Sequence, residues 1–208
     1  MQTQIQIMLE LQDAINVRVS DDWRLKDFAW YRAIWTECAE LMDHYGWKWW
    51  KQQTPDIEQV RLELIDIWHF GLSILLQNNF PVPSLLTQLE KAFTSPGRSN
   101  DFHEILESFT AYTLTEKDFS IPLYVALLQS VDMSFDELYC GYIGKNVLNF
   151  FRQDHGYQEG SYVKLWNGRE DNEHLVELMA ELNSADTQFT KKLYALLEER
   201  YKHGANRG

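Results

Sequence analysis

The chain has 208 residues, of which 45% are hydrophobic and 24% are charged, which is typical of a globular protein with one sizeable core and excludes a disordered chain. Its 31 acidic and 19 basic residues give a formal net charge of −12, which argues against a nucleic-acid partner bound through phosphate neutralisation. With no apolar run of about 18 residues, no signal-peptide pattern and two cysteines without CxxC spacing, we expect a cytoplasmic protein that neither spans a membrane nor forms disulfides.

Helical periodicity dominates the chain, and no alternating run bounded by turn residues indicates a strand. We therefore predict one all-α domain over residues 1–208, in which 80–133 could form a variable helical insert. The predicted helices are 3–18, 21–45, 56–79, 83–93, 101–113, 120–131, 134–152 and 171–203. A polar, glycine-rich loop of about twenty residues precedes the last helix, and its length and aromatic content favour a functional role.

The helix predicted at 21–45 combines an apolar stripe with two glutamates. Glu37 and Glu40 fall just off one edge of this stripe and share a face, because residues three apart are neighbours on a helix. Taken alone, such acids are as often solvated surface residues. The stripe comprises Phe28, Tyr31, Trp35, Cys38, Met42 and Tyr45.

The helix predicted at 56–79 contains the segment VRLELIDIWHFGLSILL, which is apolar nearly all round and indicates a buried helix. Glu63 and Asp66 lie three residues apart on one side of it. Buried carboxylates are costly unless they are paired or bind a metal. If the two helices pack antiparallel, both acid pairs form a four-carboxylate cluster whose oxygen ligands suit Mg²⁺ or Mn²⁺.

A basic helix face in YIGKNVLNFFRQDHGY is the second candidate feature. Lys145, Asn149 and Arg152 are spaced by four and three residues, so they line one face, and Tyr157 and Lys164 follow in the loop. Lysine and arginine suit phosphate oxygens. The pattern therefore predicts a phosphate site beside the metal site, with a solvated helix face as the alternative.

Two further patterns have more than one interpretation. The tryptophans of GWKWWK, Trp47, Trp49 and Trp50, could stack on a base, or belong to a core or an interface. Asp66 and His69 form a D-x-x-H pair similar to the E-x-x-H of di-iron helix bundles. Since the other acidic helix carries Glu-x-x-Glu without a histidine, a hydrogen-bonded core histidine is the alternative. A di-iron carboxylate protein and a non-enzymatic helical binding protein both stay open at this point.

The segments ECAELMDHYGWKWWK, VRLELIDIWHF and YIGKNVLNFFRQDHGYQEGSYVKLWNGREDN resemble the dimeric all-α dUTPases of the MazG-like nucleotide pyrophosphohydrolase superfamily. The resemblance covers the N-terminal half and a block at 139–172. It implies a helical bundle with a carboxylate-lined metal site between helices. It also implies a homodimer that uses Mg²⁺ to hydrolyse dUTP, and often dUDP, to dUMP, which keeps uracil out of DNA.

The resemblance further implies roles for individual residues, with Glu37 or Glu40 orienting or deprotonating the attacking water. The implied metal ligands are Glu37, Glu40, Glu63 and Asp66. The implied phosphate contacts are Lys145, Asn149, Arg152, Tyr157 and Lys164. The implied base and sugar contacts are Gln12, Asp13, Asn16, Trp47, Trp50 and Asn172. Asp13 stands where the family is expected to carry glutamine. Because a carboxylate accepts from N–H donors, a dCTP pyrophosphohydrolase is the alternative.

Overall fold

The computed structural model describes residues 1–78, 81–95, 101–183 and 186–205. Most residues in these ranges lie in helices, which confirms the all-α prediction. Residues 79–80 and 96–100, which belong to two predicted loops, lie outside the described residues. The elements are α1 (Gln2–Val19), a short 3₁₀ helix (Trp23–Leu25), α2 (Trp30–Tyr45), α3 (Ile57–Gln77), α4 (Val82–Thr94), α5 (Phe102–Glu116), α6 (Ile121–Ser130), α7 (Phe135–Asp154), β1 (Leu165–Trp166), β2 (Arg169–Glu170), α8 (Asp171–Glu181) and α9 (Phe189–Gly204).

Local capping explains several helix boundaries. The Asp56 carboxylate accepts from the backbone N–H of Gln59 at the start of α3, and Ser134 and Glu137 form a reciprocal capping box at the start of α7. Gly46, with φ of 96°, ends α2 as the sequence predicts. These signals lie within a few residues of each boundary, so they can be recognised from sequence.

The prediction of one helix over 21–45 is wrong at its beginning, because α2 starts only at Trp30. Asp27 has φ of 49°, a left-handed conformation that interrupts a helix. The apolar stripe is also offset, since Phe28 and Trp35 are 38% and 42% exposed. The buried face of α2 consists of Ile34, Cys38 and Leu41.

The C-terminal region differs from the prediction in two ways. The helix expected at 171–203 is two helices, α8 and α9, and residues 184–185 between them lie outside the described residues. A two-stranded antiparallel hairpin also precedes α8. Its turn, Asn167–Gly168, has φ of 51° and 79°, as two-residue hairpin turns require and as an Asn-Gly pair favours. The expectation of no strand was therefore wrong.

Helix α3 forms the centre of the core and packs against α1, α2 and α7. Its hairpin with α2 is closed by a hydrogen bond of 2.9 Å from Asp56 N to His44 O. The described part of 80–133 joins the same core, because Tyr124 stacks on Trp68 and donates to Leu64 O at 2.9 Å. None of the helices in the described ranges combines the length and the apolarity needed to cross a membrane.

Candidate active site

Helices α1, α2, α3 and α7 and the start of α8 enclose a cleft of about 670 Å³. Most residues that the sequence singles out lie on its walls. Those lining the cleft are Gln12, Asn16, Glu37, Glu40, Glu63, Asp66, Lys145, Asn149, Arg152, Tyr157, Lys164 and Asn172. A larger cavity of about 850 Å³ lies among α4, α5 and α6, but it contains none of these residues. We therefore take the smaller cleft as the candidate active site.

Three carboxylates meet on one side of this cleft. Glu37 from α2, and Glu63 and Asp66 from α3, each contribute an oxygen, and these oxygens lie within 4.8 Å of one another. Glu37 reaches this point because it lies three residues after Ile34, at the edge of the buried face of α2. Glu40 lines the cleft but is exposed and does not belong to the 4.8 Å group.

The electrostatics of this group favour a bound cation. Burial, reinforced by the charge of Asp66 and by Glu63, raises the pKa of Glu37 to about 9. Burial and then the charge of Asp66 also raise the pKa of Glu63. A divalent ion would offset the repulsion among these acids, and a donor set made only of carboxylate oxygens suits a hard ion. The residues present thus fit a divalent metal.

A buried lysine joins the carboxylates to the opposite wall. Lys145, only 2% exposed, donates from Nζ to Asp66 Oδ2 at 2.8 Å and to Asn172 Oδ1 at 2.9 Å. The lysine therefore already compensates one acid of the cluster. Its ammonium group thus lies between an acid of the carboxylate group and the start of α8, on the wall of the cleft.

Arg152 lies on the same face of α7 as Lys145, about two turns further along, and it is paired with Asp171. Its Nε and Nη2 donate to the two carboxylate oxygens of Asp171, both at 2.8 Å. Tyr162 Oη also donates to Asp171 Oδ2 at 2.8 Å. The sequence analysis did not identify Asp171 or Tyr162. The Asn-Gly turn could have indicated the hairpin before α8, and the acids at the start of α8 could have indicated the beginning of that helix.

Tyr157 and Lys164 lie at the rim of the cleft. Tyr157 is half exposed, and its ring centroid is 5.8 Å from Arg152 Cζ. Lys164 is exposed and places Nζ 3.1 Å from Glu170 Oε2. Both are available to a ligand that extends from the cleft toward solvent.

The floor of the cleft is a buried polar network centred on Gln12. Its amide nitrogen donates to Asn16 Oδ1 and Ser73 Oγ, both at 3.0 Å. Its carbonyl oxygen accepts from Tyr142 Oη at 3.1 Å and lies 2.8 Å from His69 Nδ1. Gln12 thus uses both ends of its amide within the protein. Asn16 donates one amide hydrogen to Ser73 and retains a second.

His69 is a core histidine and not part of the carboxylate group, so the di-iron interpretation loses its histidine ligand. Burial lowers the pKa of His69 to about 3, which keeps the imidazole neutral. Because Gln12 Oε1 is an acceptor, Nδ1 must carry the proton. Buried Nε2 then has a lone pair without a hydrogen-bond partner among the described residues.

Three predicted base contacts lie outside the cleft lining. Asp13 faces away from it, where it accepts from Arg24 Nη2 at 2.9 Å and from Trp23 Nε1 at 3.1 Å. Trp47 and Trp50 are 45% and 57% exposed, and neither lines the cleft in this structure. They pack edge to face beyond the end of α2, with ring centroids 5.3 Å apart.

Comparison with known proteins gives one family. The family model described as dUTPase matches residues 4–157. The match runs from α1 to just beyond α7, so it includes the carboxylate group and Lys145, Asn149 and Arg152, while Tyr162, Asp171 and Asn172 follow it. Among curated proteins no match was found.

Proposed function

This chain belongs to the dimeric all-α dUTPase family, and we propose that it hydrolyses dUTP, and also dUDP, to dUMP with Mg²⁺ held by Glu37, Glu63 and Asp66. Membership of the family indicates dUTP diphosphatase activity. One observation carries the finer proposal: three carboxylates within 4.8 Å of one another line the same cleft as Lys145 and Arg152.

The charge of the cleft supports a divalent ion as part of the substrate complex. Four acids of α2 and α3 line it, whereas Lys145 and Arg152 are the cations of its buried wall. Each of the two is already paired with a carboxylate. A nucleoside triphosphate adds further negative charge, so its binding requires additional cations. Mg²⁺ fits this oxygen-only donor set, and Mn²⁺ is the alternative.

The bound ion and the carboxylates would have different roles in the hydrolysis. When bound, a divalent ion neutralises phosphate charge and lowers the pKa of a coordinated water. We assign Glu37 the task of orienting or deprotonating the attacking water, because its carboxylate lies within the 4.8 Å group and lines the cleft. Glu40, more exposed at the edge of the group, is the second candidate and the fourth proposed metal ligand.

The wall formed by α7 and α8 would hold the phosphates. Lys145 and Arg152 donate toward the leaving pyrophosphate, and Asn149 between them donates through its amide. Tyr157 and Lys164 lie at the rim, where they would contact the phosphate end that is nearest to solvent.

The floor of the cleft would receive the base and sugar. Asn16 lines the cleft and retains an amide donor for a carbonyl oxygen of the base. Gln12 is committed to positioning Asn16 and His69. Asn172, which faces Lys145, would close the sugar side. Contacts from Trp47 and Trp50 would require their loop to move toward the cleft.

The proposal is tested by measuring pyrophosphate release from dUTP, dCTP, dTTP and UTP, and phosphate release from dUDP, all with Mg²⁺. Glu63→Gln is the inactivating variant. Glu107→Gln, an exposed acid on α5, is the matched control. We expect selective dUTP turnover that the Glu63 variant loses by at least a hundredfold and the control keeps. Preference for dCTP would overturn the base assignment, and no turnover of any nucleotide would overturn the function.

We further propose a cytoplasmic homodimer, as the family resemblance implies. Light scattering coupled to gel filtration tests the dimer, and a mass of one chain would contradict it. The proposed biological role is to keep dUTP low enough that uracil does not enter DNA.

A further inference from the structure

We propose that Asp171 is a positioning residue for phosphate binding, which acts by fixing Arg152 in the orientation that presents its remaining donor to the cleft. This inference rests on the proposed function. It concerns a residue that lies beyond the part of the chain matched by the family, residues 4–157. Asp171 does not line the cleft, so it would act only through Arg152.

The geometry of the pair is that of a two-point clamp. Nε and Nη2 of Arg152 each donate to a different oxygen of Asp171, both at 2.8 Å. The arginine side chain is 12% exposed and the aspartate side chain 0% exposed. Bidentate pairs of this kind fix the plane of the guanidinium as well as its position. A lone arginine at the end of α7 would lose side-chain entropy when it bound a phosphate.

The clamp leaves a defined part of the guanidinium for a ligand. An arginine has five N–H donors. Asp171 takes two, Asn172 Oδ1 lies 3.4 Å from Nη2, and Asn149 Oδ1 lies 3.3 Å from Nη1. One Nη1 hydrogen then has no acceptor among the described residues. Since Arg152 lines the cleft, this donor is available to an anion there.

Asp171 is itself held rigidly. Tyr162 Oη donates to Asp171 Oδ2 at 2.8 Å, and Asp171 N donates to Lys164 O at 3.1 Å. The hairpin before it is anchored by Trp166, which is fully buried and donates from Nε1 to Val163 O at 2.8 Å. Asp171 is thus fixed by its own helix start and by the preceding hairpin.

The next residue couples the two phosphate-binding cations. Asn172 Oδ1 accepts from Lys145 Nζ at 2.9 Å as well as lying 3.4 Å from Arg152 Nη2. The dipeptide Asp171–Asn172 at the start of α8 therefore sets the positions of both cationic heads.

The molecule contains a matched control for this clamp. Asp154, the last residue of α7, also pairs with an arginine and a tyrosine: it lies 3.2 Å from Arg18 and accepts from Tyr194 Oη at 2.8 Å. This Arg18–Asp154 pair is exposed, 52% and 40%, and neither residue lines the cleft. Asp154→Asn removes a similar set of contacts without touching the proposed site.

A double-mutant cycle between Asp171→Asn and Arg152→Met tests the inference. We expect Asp171→Asn to lower kcat/KM for dUTP at least tenfold in the wild-type background and less than twofold in the Arg152→Met background. Asp154→Asn should stay within twofold of wild type. If Asp171→Asn lowers kcat/KM by the same factor in both backgrounds, Asp171 is structural and the proposal is overturned.

The affinity of the same four proteins for inorganic pyrophosphate, with Mg²⁺ present, is then measured by calorimetry. This separates the two failures: a wild-type chain inactive on dUTP overturns the proposed function, whereas additive losses in pyrophosphate affinity overturn only the role of Asp171. If Asp171→Asn does not fold, Tyr162→Phe takes its place in the cycle. It removes one contact to the same carboxylate, and we expect a loss of two- to fivefold that disappears with Arg152→Met.

Discussion

Glu37→Gln should stabilise the metal-free protein while it abolishes activity. The carboxyl of Glu37 has a pKa of about 9, against an ordinary value of 4.5, because of burial and the neighbouring acids. At pH 7 it therefore takes up a proton on folding, which costs about 3 kcal/mol at ~1.4 kcal/mol per pKa unit. Since the side chain is only partly buried, we expect ~1–3 kcal/mol after screening. Glutamine keeps the shape and removes this cost.

The raised pKa of Glu37 also makes the free energy of unfolding depend on pH. A carboxyl whose pKa is raised on folding binds more protons in the native state between its two pKa values, here about 4.5 and about 9. The wild type thus loses stability, relative to Glu37→Gln, as pH rises through this window. Below pH 4.5 the advantage of the variant should vanish.

Urea denaturation in a chelator, from pH 4 to pH 9, measures this difference, with Glu107→Gln as the exposed control. Addition of Mg²⁺ should reverse the order, because it stabilises the native wild type by mass action and the variant much less. Turnover of dUTP should fall at least a hundredfold. A variant that is no more stable than wild type at pH 7 in chelator, and equally stabilised by Mg²⁺, would contradict the raised pKa of Glu37 and its role as a metal ligand.

Three further substitutions test separate contacts. Asp13→Asn should leave the dUTP-to-dCTP preference unchanged, since Asp13 pairs with Arg24 outside the cleft; a tenfold change in that ratio would contradict this. Without nucleotide, calorimetry should show that Lys145→Met binds Mn²⁺ several-fold tighter than wild type, because Asp66 loses its competing cation. The same variant should bind dUTP more weakly. Weaker binding of both Mn²⁺ and dUTP would contradict a competition between Lys145 and the metal for Asp66. Burial lowers the pKa of His69 to about 3, so between pH 6.5 and pH 5 the histidine takes up a proton in the unfolded chain but not in the native one. The free energy of unfolding of the wild type should therefore fall by about 2 kcal/mol over this range. Denaturant titrations of His69→Gln should not show this fall.

Much of the fold was predictable because its signals are local. The nearly uniform apolarity of α3 indicated a buried helix, and its two acids then required either a cation or a partner. Capping residues at Asp56, Ser134 and Gly46 mark helix ends from within a single turn. The spacing of Lys145 and Arg152 likewise placed them on one face of a helix before any tertiary contact was known.

The face that α2 buries was not predictable in the same way. An amphipathic helix rich in aromatic residues offers several apolar arcs, and the neighbours decide which one is covered. Packing against α3 and α5 selected Ile34, Cys38 and Leu41 and left Trp35 exposed. Because this face of α2 is turned to the core, Glu37 lies in the carboxylate group and Glu40 lies at its edge.

Helical periodicity alone predicts the all-α class, the two acid pairs and the basic face of α7, because it places residues three and four apart on one side. The pairing of Asp13 with Arg24, and of Asp171 with Arg152, depends instead on tertiary packing. Such ion pairs join side chains of different elements, and their partners depend on how helices and hairpin pack. No spacing within one helix encodes that choice.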